Sequence, residues 1–575
     1  MCGIAGVVGK ATYDRSRVGS VQHHRGPDFT GYYEDLQPQV LLCHNRLSII
    51  DLSVLANQPL TDVSGRYVIV FNGEVYNYLE LRNKLDYPFQ SRGDTEVVLA
   101  SYMKWGAACL DQFVGMFAFA IWDKQEKELF AARDRFGVKP FHYAVSPDGF
   151  VFGSEIKALF ELGIPRTPDE QAWSTYLVAG MYDHDQYTFW KGVSRLLPGH
   201  CLWYSESAGL RTRSWYDLSA RVSSQGTDDR EEKLVTEELR SLLLESVKLR
   251  FRSDVPVGIL LSGGVDSSLL WGLINKAIGN TDKLNTFTFY TDDPAYDERP
   301  WVRELLGTVS PSNHFIELRH QDVPALATSV MSFQEEPLGG FPTLAFSLLH
   351  QRARERGITV LLDGNGIDEG WAGYDYYQRA GEVNLQKGPV QASQSDFDLQ
   401  SCLTAEFKHV ATPFAFPSFA GDAMRNVQMR DLMFAKIPRA MRFADRVSMM
   451  YSRELREPFL DHRIVELGLR QPDHRKIRNG VRKYLVRKAG EGIIKGSVLD
   501  AIKRPVQTPQ REWLRRELRE WTDHHIDHII QSAPSGWLHK DSVQKLWAHY
   551  CNQPVDNSFP VWQLISLSLM LESKP

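Results

Sequence analysis

The sequence predicts a mixed α/β protein in two parts, an α+β domain followed by a parallel-sheet α/β domain with added helices. Three observations carry that prediction. A chain of 575 residues is too long for one hydrophobic core. From Leu234 onward, apolar strand-like runs alternate with helical patterns, which implies a parallel sheet with right-handed crossovers. Between the two parts, residues 219–232 (SARVSSQGTDDREE) have the polar composition of a linker. The chain therefore divides into a first domain over 2–218, a linker over 219–233 and a second domain over 234–575.

Composition narrows the function class. Hydrophobic residues are 43% and charged residues 24% of the chain, the profile of a soluble globular protein. A formal net charge of −5 gives no reason to expect nucleic acid or an anionic membrane surface as a partner. No apolar run reaches the length of a membrane span, and no basic n-region precedes an apolar core at the N-terminus. Cys2, Cys43, Cys109, Cys201, Cys402 and Cys551 are scattered without CxxC pairs. That argues against a zinc site or a disulfide framework and fits a reducing cytoplasm.

The chain opens MCGIAGVVG, a small apolar run that reads as a buried strand. With Met1 removed, Cys2 would be the N-terminal residue. Its α-amino group, with a reference pKa near ~8, could then serve as base for its own thiol. His24–Asp28 (HRGPD) reads as a turn with charged flanks. In residues 44–51 (HNRLSIID), Arg46 reads as the start of an apolar strand. Residues 71–77 (FNGEVYN) end a strand with the Asn72 amide and the Gly73 N–H, a plausible oxyanion hole. Residues 91–96 (SRGDTE) place Asp94 in a loop before a helix over 97–103. A long apolar strand at 113–123 and two motifs that read as structural, 133–140 (RDRFGVKP) and 154–159 (SEIKAL), complete the domain before its last strands.

These segments, in this order, resemble the class II glutamine amidotransferase domain, an N-terminal-nucleophile (Ntn) hydrolase fold of four αββα layers. The resemblance implies that Cys2 attacks the glutamine side-chain amide and releases ammonia through a glutamyl thioester. It implies that Asn72 and Gly73 stabilise the oxyanion, and that Arg46 pairs with the substrate carboxylate, for which a planar fork is suited. Asp94 would hold the α-ammonium, with Glu74 nearby.

In the second domain, residues 262–268 (SGGVDSS) lie between an apolar strand and a helix. Gly263 and Gly264 let the backbone close around an anion, and the helix offers its positive N-terminus. Ser262, Ser267 and Ser268 add hydroxyl donors. Asp266 would repel a bare phosphate and makes sense with a divalent cation between them. Strands are expected at 285–290, 314–318 and 358–362, with helices at 298–306, 323–331 and 344–356. Ligands of such sheets sit at the carboxyl ends of the strands. That rim collects the 262–268 loop, the end of 285–290 and the loop 363–369 (DGNGIDE), where Asp368 is a second carboxylate. Farther on, residues 445–449 (DRVSM) and 457–462 (EPFLDH) precede Gly480-Val481-Arg482-Lys483, whose lysine could meet a phosphate.

The 262–268 loop is similar to the pyrophosphate loop of enzymes that transfer AMP from ATP to a carboxylate or carbonyl. Together the motifs resemble, across essentially the whole chain, the glutamine-hydrolysing asparagine synthetase family. The resemblance implies that ATP is held by Leu261, Ser262, Gly263, Gly264, Asp266, Ser267, Ser268, Phe289, Asp363 and Gly364. Asp266 and Asp368 would hold Mg2+, and Lys483 would act catalytically by stabilising charge at the α-phosphate. Ammonia would reach an acyl-adenylate through a channel between the domains, shielded from water. The partners implied are glutamine and a carboxylate acceptor, most simply aspartate. A uronic-acid sugar or diaminopimelate, in surface polysaccharide or cell-wall synthesis, is the alternative. A catalytically silent regulator is a third reading, against which stand the intact Cys2, Asn72, Asp94, Asp266, Asp368 and Lys483. Cys2 also argues against β-lactam-forming relatives.

One departure bears on the acceptor. The family loop usually reads Ser-Gly-Glu-Gly-x-Asp-Glu, whereas here Asn365 stands at the position of the candidate base and cannot accept a proton at neutral pH. Either ammonia arrives neutral, or Glu335, Glu336 or Glu369 takes the task, or the acceptor is not aspartate. Residues 391–396 read as a surface loop, and 371–377 (WAGYDYY) as either sugar-stacking surface or core. Residues 512–530 read as a peripheral helix that could pack on a partner subunit, giving a homodimer.

Overall fold

Three sheets organise the chain. The computed structural model describes residues 1–572 apart from 11–12, 280–283, 308–311, 386–396, 415, 420, 500–507 and 554. The expected 391–396 loop lies outside the described residues. In the first sheet the strands run Ser194–Arg195, His142–Ser146, Gly149–Gly153, Gly3–Gly9, Gln39–Arg46, Phe29–Leu36, all antiparallel. In the second they run Gly209–Ser214, His200–Ser205, Glu128–Arg133, Gly115–Asp123, Tyr67–Val75, Leu60–Thr61, again antiparallel.

Side-chain alternation explains the layering. Ile4, Val8, Val40 and Leu42 of the first sheet meet Val68, Val70, Ala118 and Trp122 of the second in one buried core. The intervening Ala5, Val7, Leu41 and Cys43 point outward, under helices Arg15–Val21 and Ile156–Glu161. The outer face of the second sheet packs on helix Asp94–Trp105. The result is the helix–sheet–sheet–helix arrangement expected. Gly6 has a steric reason to be glycine, because a Cβ there would lie 2.5 Å from the Phe152 ring.

The third sheet is wholly parallel, in the order Ser312–Glu317, Asn285–Tyr290, Val257–Leu260, Val360–Leu362, Glu454–Arg456. The chain winds outward from Val257–Leu260 in one direction, then returns to its other side at Val360–Leu362. Between those two strands lies the topological switch point, where open α/β sheets bind their ligands. Both glycine loops singled out in the sequence follow these two strands.

Four local expectations are corrected. Arg46 ends strand Gln39–Arg46 rather than starting one, and Leu47 and Ile49 beyond it are buried against the second domain. Asp94 is the first residue of helix Asp94–Trp105, not part of a preceding loop, because Gly93 is extended and caps the helix. The polar stretch after residue 218 contains helix Leu218–Gln225, capped by Asp217 on Ala220 N–H and anchored by buried Leu218 and Val222. The C-terminal helical run is broken into Gln510–Arg515 and Arg519–Ser532.

The two domains share both a core and an ion network. Met1, Leu47, Ile49 and Tyr76 are buried in one cluster with Leu261, Leu362 and Phe459. Arg25 forks onto Asp445 (2.9 and 3.1 Å) and also meets Glu155 (2.9 Å). Arg446 spans Glu155 (3.1 Å) and Glu335 (3.0 Å), while Glu335 accepts N–H bonds from Ile156 and Lys157 at the start of helix Ile156–Glu161. Among the described residues, no helix is long and apolar enough to cross a membrane.

Candidate active sites

The first pocket forms where the strand Gly3–Gly9 begins. Cys2 is 7% exposed, and its backbone N–H donates to Asn72 Oδ1 at 3.0 Å. Its Sγ lies 4.0 Å from the Leu47 carbonyl. Burial pushes the thiol up, partly offset by the α-ammonium of Met1. The second sheet sets the backbone geometry beside Cys2. At its edge, Phe71 N–H is taken by Gln58 Oε1 (2.7 Å) and Val75 N–H by Asp94 Oδ2 (2.8 Å). Gly73 lies midway between them, so strand alternation turns its N–H the same way. A Cβ at Gly73 would come 2.2 Å from the Met116 carbonyl, so only glycine fits.

Two carboxylates flank this edge. Burial pushes Asp94 up to about 7 despite the bond from Val75. Burial, and then the Glu454 and Asp94 carboxylates, push Glu74 well above the usual range. The countercharge comes from the other domain. Arg456 Nη2 is 3.7 Å from Glu74, and Arg456 Nε donates to Glu454 at 2.6 Å. The Met1 ammonium lies 3.0 Å from Glu454 Oε2. Arg46 is turned into the 51–57 loop, donating to Ser53 O (2.8 Å), Asn57 Oδ1 (2.7 Å) and Asp51 O.

The second pocket lies at the switch point. Leu261 N–H donates to Phe287 O at 2.9 Å, continuing the sheet into the turn. Ser262 N–H donates to Ser267 Oγ (3.2 Å) and Ser267 Oγ–H to Ser262 O (2.7 Å), which closes the loop on itself. Helix Val265–Ile278 starts inside the SGGVDSS motif, with Gly264 as its cap. Ser268 Oγ is buried and has no hydrogen-bond partner among the described residues. Phe289 is buried near the end of its strand. The second glycine loop closes on the first, since a Cβ at Gly364 would lie 3.3 Å from Ser267 N. Asn365 Nδ2 donates to Asp363 Oδ2 at 2.7 Å, and burial pushes Asp363 up to about 6.

Lys483 joins the two loops. Its Nζ contacts Asp266 Oδ1 and lies 2.6 Å from Asp368 Oδ1. Burial disfavours its charge, but the two carboxylates outweigh that and raise its pKa. Its backbone is left-handed at φ 55°, and it caps helix Tyr484–Gly490. Two hard carboxylate oxygens drawn to one cationic point form a donor set that fits Mg2+, and the unpartnered Ser268 hydroxyl fits an added phosphate.

Sequence reasoning missed the residues contributed across the domain boundary. Arg25 Nε donates to the Cys2 carbonyl at 3.0 Å while its fork holds Asp445. Glu454 and Arg456 stand in the first pocket although they belong to the third sheet. Nothing in their local sequence signals this, because the contact depends on how the domains dock. The 371–377 aromatics are core: Trp371 and Tyr377 are buried, Tyr374 donates to Glu369 (2.7 Å), and Tyr376 and Tyr377 to Asp431.

A glutamine amidotransferase domain model matches residues 1–216, and an asparagine synthase model matches 238–572. The chain belongs to the asparagine synthase family. It is 29% identical to asparagine synthetase [glutamine-hydrolyzing] 1 of Bacillus subtilis, over 98% of this chain and 95% of that protein. It is 31% identical to a putative asparagine synthetase of Mycobacterium bovis, over 99% and 96%. It is also 27% identical to the amidase chry2 of Gibberella zeae, over 85% and 84%. As an asparagine synthase family member with both domains, the chain is a glutamine-dependent ligase of the asparagine-synthetase type, and its synthetase domain is one that uses ATP.

Proposed function

We propose that this protein makes asparagine from aspartate, using glutamine as nitrogen donor and ATP as activator. The observation that carries the reading is the meeting of Lys483, Asp266 and Asp368 at the switch point of a chain whose other domain presents Cys2 beside Asn72 and Gly73.

With Met1 removed, the α-amine of Cys2 would take the thiol proton as sulfur attacks the glutamine carboxamide. Asn72 and the Gly73 N–H would hold the tetrahedral oxyanion. Asp94 and Glu74 would face the glutamine α-ammonium. Arg46, with three donor contacts already made to its own loop, would shape the carboxylate end and meet it with a remaining N–H. Release of ammonia leaves a thioester that water hydrolyses to glutamate.

In the second pocket the 262–268 turn and Gly364 would wrap the phosphates of ATP, with Leu261, Phe289 and Asp363 around the nucleoside. Asp266 and Asp368 would hold Mg2+, which when bound supplies neutralising charge at the pyrophosphate leaving group. Lys483 would stabilise charge at the α-phosphate as the acceptor carboxylate attacks. Ammonia then displaces AMP. The buried inter-domain junction would keep water from the adenylate.

Asn365 favours a second reading, amidation of a larger carboxylate such as a uronic-acid sugar or diaminopimelate. It bonds Asp363 and puts an amide where the resemblance implies a candidate carboxylate base. Pyrophosphate release measured with ATP, Mg2+ and glutamine against aspartate, a nucleotide-linked uronic acid and diaminopimelate separates the two. Turnover with aspartate, yielding asparagine, is expected. Turnover with a larger acid alone would transfer the assignment to the second reading.

A further inference from the structure

Amide formation sets a chemical requirement that the Asn365 amide, which donates to Asp363 and cannot accept a proton at neutral pH, does not meet. When ammonia adds to an acyl-adenylate, the nitrogen becomes positively charged and must shed a proton before AMP departs. The nearby carboxylates considered from sequence are committed elsewhere. Glu335 holds Arg446 and two N–H groups of helix Ile156–Glu161. Glu336 pairs with Arg195 at 2.7 Å and accepts from Phe189 N–H. Glu369 accepts from the Tyr374 hydroxyl.

Glu457 is different. It is the first residue past strand Glu454–Arg456, on the rim where Asp363 ends the neighbouring strand, and Asp363 N–H donates to the Arg456 carbonyl at 3.0 Å. The preceding Arg456 reaches 3.7 Å from Glu74 in the glutamine pocket. Glu457 therefore stands between the nitrogen-releasing pocket and the nucleotide rim. It is only 4% exposed, and among the described residues the cations that act on its carboxylate, Lys139 and Arg250, do so without a hydrogen bond. A carboxylate set among largely buried groups, with no fixed partner holding it, stays available for proton transfer. The groups that face it come from both domains. Lys139 and Asp134 belong to the 133–140 turn, Asp363 to the rim, and Arg250 to helix Glu232–Arg250. Lys139 Nζ also lies 3.5 Å from the Leu455 carbonyl, which brings that turn against the strand.

We infer that Glu457 is the proton acceptor for the incoming nitrogen in the amide-forming step. This rests on the amidation reading above. The C–N bond forms as ammonia adds to the acyl carbon, and one N–H proton passes to the Glu457 carboxylate. The C–O bond to AMP then breaks, and AMP leaves with the electron pair as its phosphate. Burial pushes Glu457 up to about 8, with Lys139 opposing and Asp363 reinforcing the shift, so the carboxylate is a stronger base than an exposed glutamate.

The test separates the partial reactions of the full-length protein carrying Glu457→Gln or Glu457→Asp. Glutamate release from glutamine reports the first pocket. Acceptor-dependent exchange of labelled pyrophosphate into ATP reports adenylate formation. Amide formation with free ammonia reports the step assigned to Glu457. In Glu457→Gln the first two should stay within about threefold of wild type while amide formation falls by about 100-fold or more. Glu457→Asp should recover part of that loss. Amide formation that stays near wild type in Glu457→Gln would overturn the inference. So would loss of pyrophosphate exchange in both variants, which would make Glu457 a positioning group for the nucleotide. A wild-type protein that exchanges no pyrophosphate with any acceptor would overturn the amidation reading itself, and this inference with it.

Discussion

The two pockets are built on opposite plans. The nucleotide rim is assembled from one domain: both glycine loops, Asp266, Asp368 and Lys483 belong to the parallel-sheet half of the chain. The glutamine pocket is assembled from both. Cys2, Asn72 and Gly73 come from the antiparallel sheets, yet the charge that balances Glu74 and Asp94 comes from Arg456, and the Cys2 carbonyl is held by an arginine clamped on Asp445. The difference suggests a direction of dependence. The synthetase half carries its own chemistry, whereas the glutaminase half is electrostatically complete only when docked.

The largest expected effect tests the independent half. Cys2→Ala should abolish glutamine-dependent amide formation and glutamate release, a loss of at least about 10⁴-fold, because no other nucleophile replaces the thiol. Ammonia-dependent synthesis should persist within a few-fold. Equal loss of both activities, read side by side with glutamine and with ammonium salt, would break the claim that the nucleotide rim is self-contained.

An intermediate effect tests the dependent half. Arg456 is fully buried and holds Glu454, Glu74 and the carbonyls of Arg250 and Arg252 (both 2.7 Å). Arg456→Met should destabilise the protein by ~3–5 kcal/mol, since Glu454 and Glu74 lose the buried guanidinium between them and two buried carbonyls lose their donor. It should also lower glutaminase activity more than pyrophosphate exchange, although residue 456 lies in the other domain. Urea denaturation with both assays checks this. The double variant Arg456→Met/Glu454→Gln, which removes one of the two carboxylates that faced the guanidinium, should recover part of the stability. Loss of pyrophosphate exchange alone would reverse the assigned dependence.

The same contrast explains what the sequence could and could not reveal. The nucleotide rim was legible because local rules dictate it. A strand, a glycine turn and a helix follow one another, and the sheet order then brings Ser262–Ser268 and Asp363–Asp368 together. The layered first domain was legible from apolar strands and from a family likeness in segments such as FNGEVYN. Arg46 was misplaced because Leu47 and Ile49 look like strand residues but are buried by docking on the second domain. Asp94 was misplaced by three residues, since helix starts depend on capping geometry at Gly93 that polar loop composition conceals. Arg25, Glu454 and Arg456 were illegible as residues lining the first pocket. Each acts across a boundary that no pattern within one domain encodes.

The smallest effect concerns pH. Burial pushes Asp94 up to about 7, far above its reference value. The fold therefore favours the protonated acid. Its contribution to stability is fully present below the unfolded pKa and is lost as pH rises through about 7. On the proposed reading glutamine binding runs the opposite way, because the carboxylate would hold its α-ammonium. From about pH 6 to about pH 8, the ionised fraction of a group with that pKa rises roughly tenfold. The KM for glutamine should fall by a similar factor over that range, with little change in ammonia-dependent turnover. In Asp94→Asn the KM should be high and flat. A wild-type KM that does not change across this range would show that Asp94 is ionised throughout, so that Arg456 reaches across the domain boundary strongly enough to offset the burial of Asp94 as well as that of Glu74.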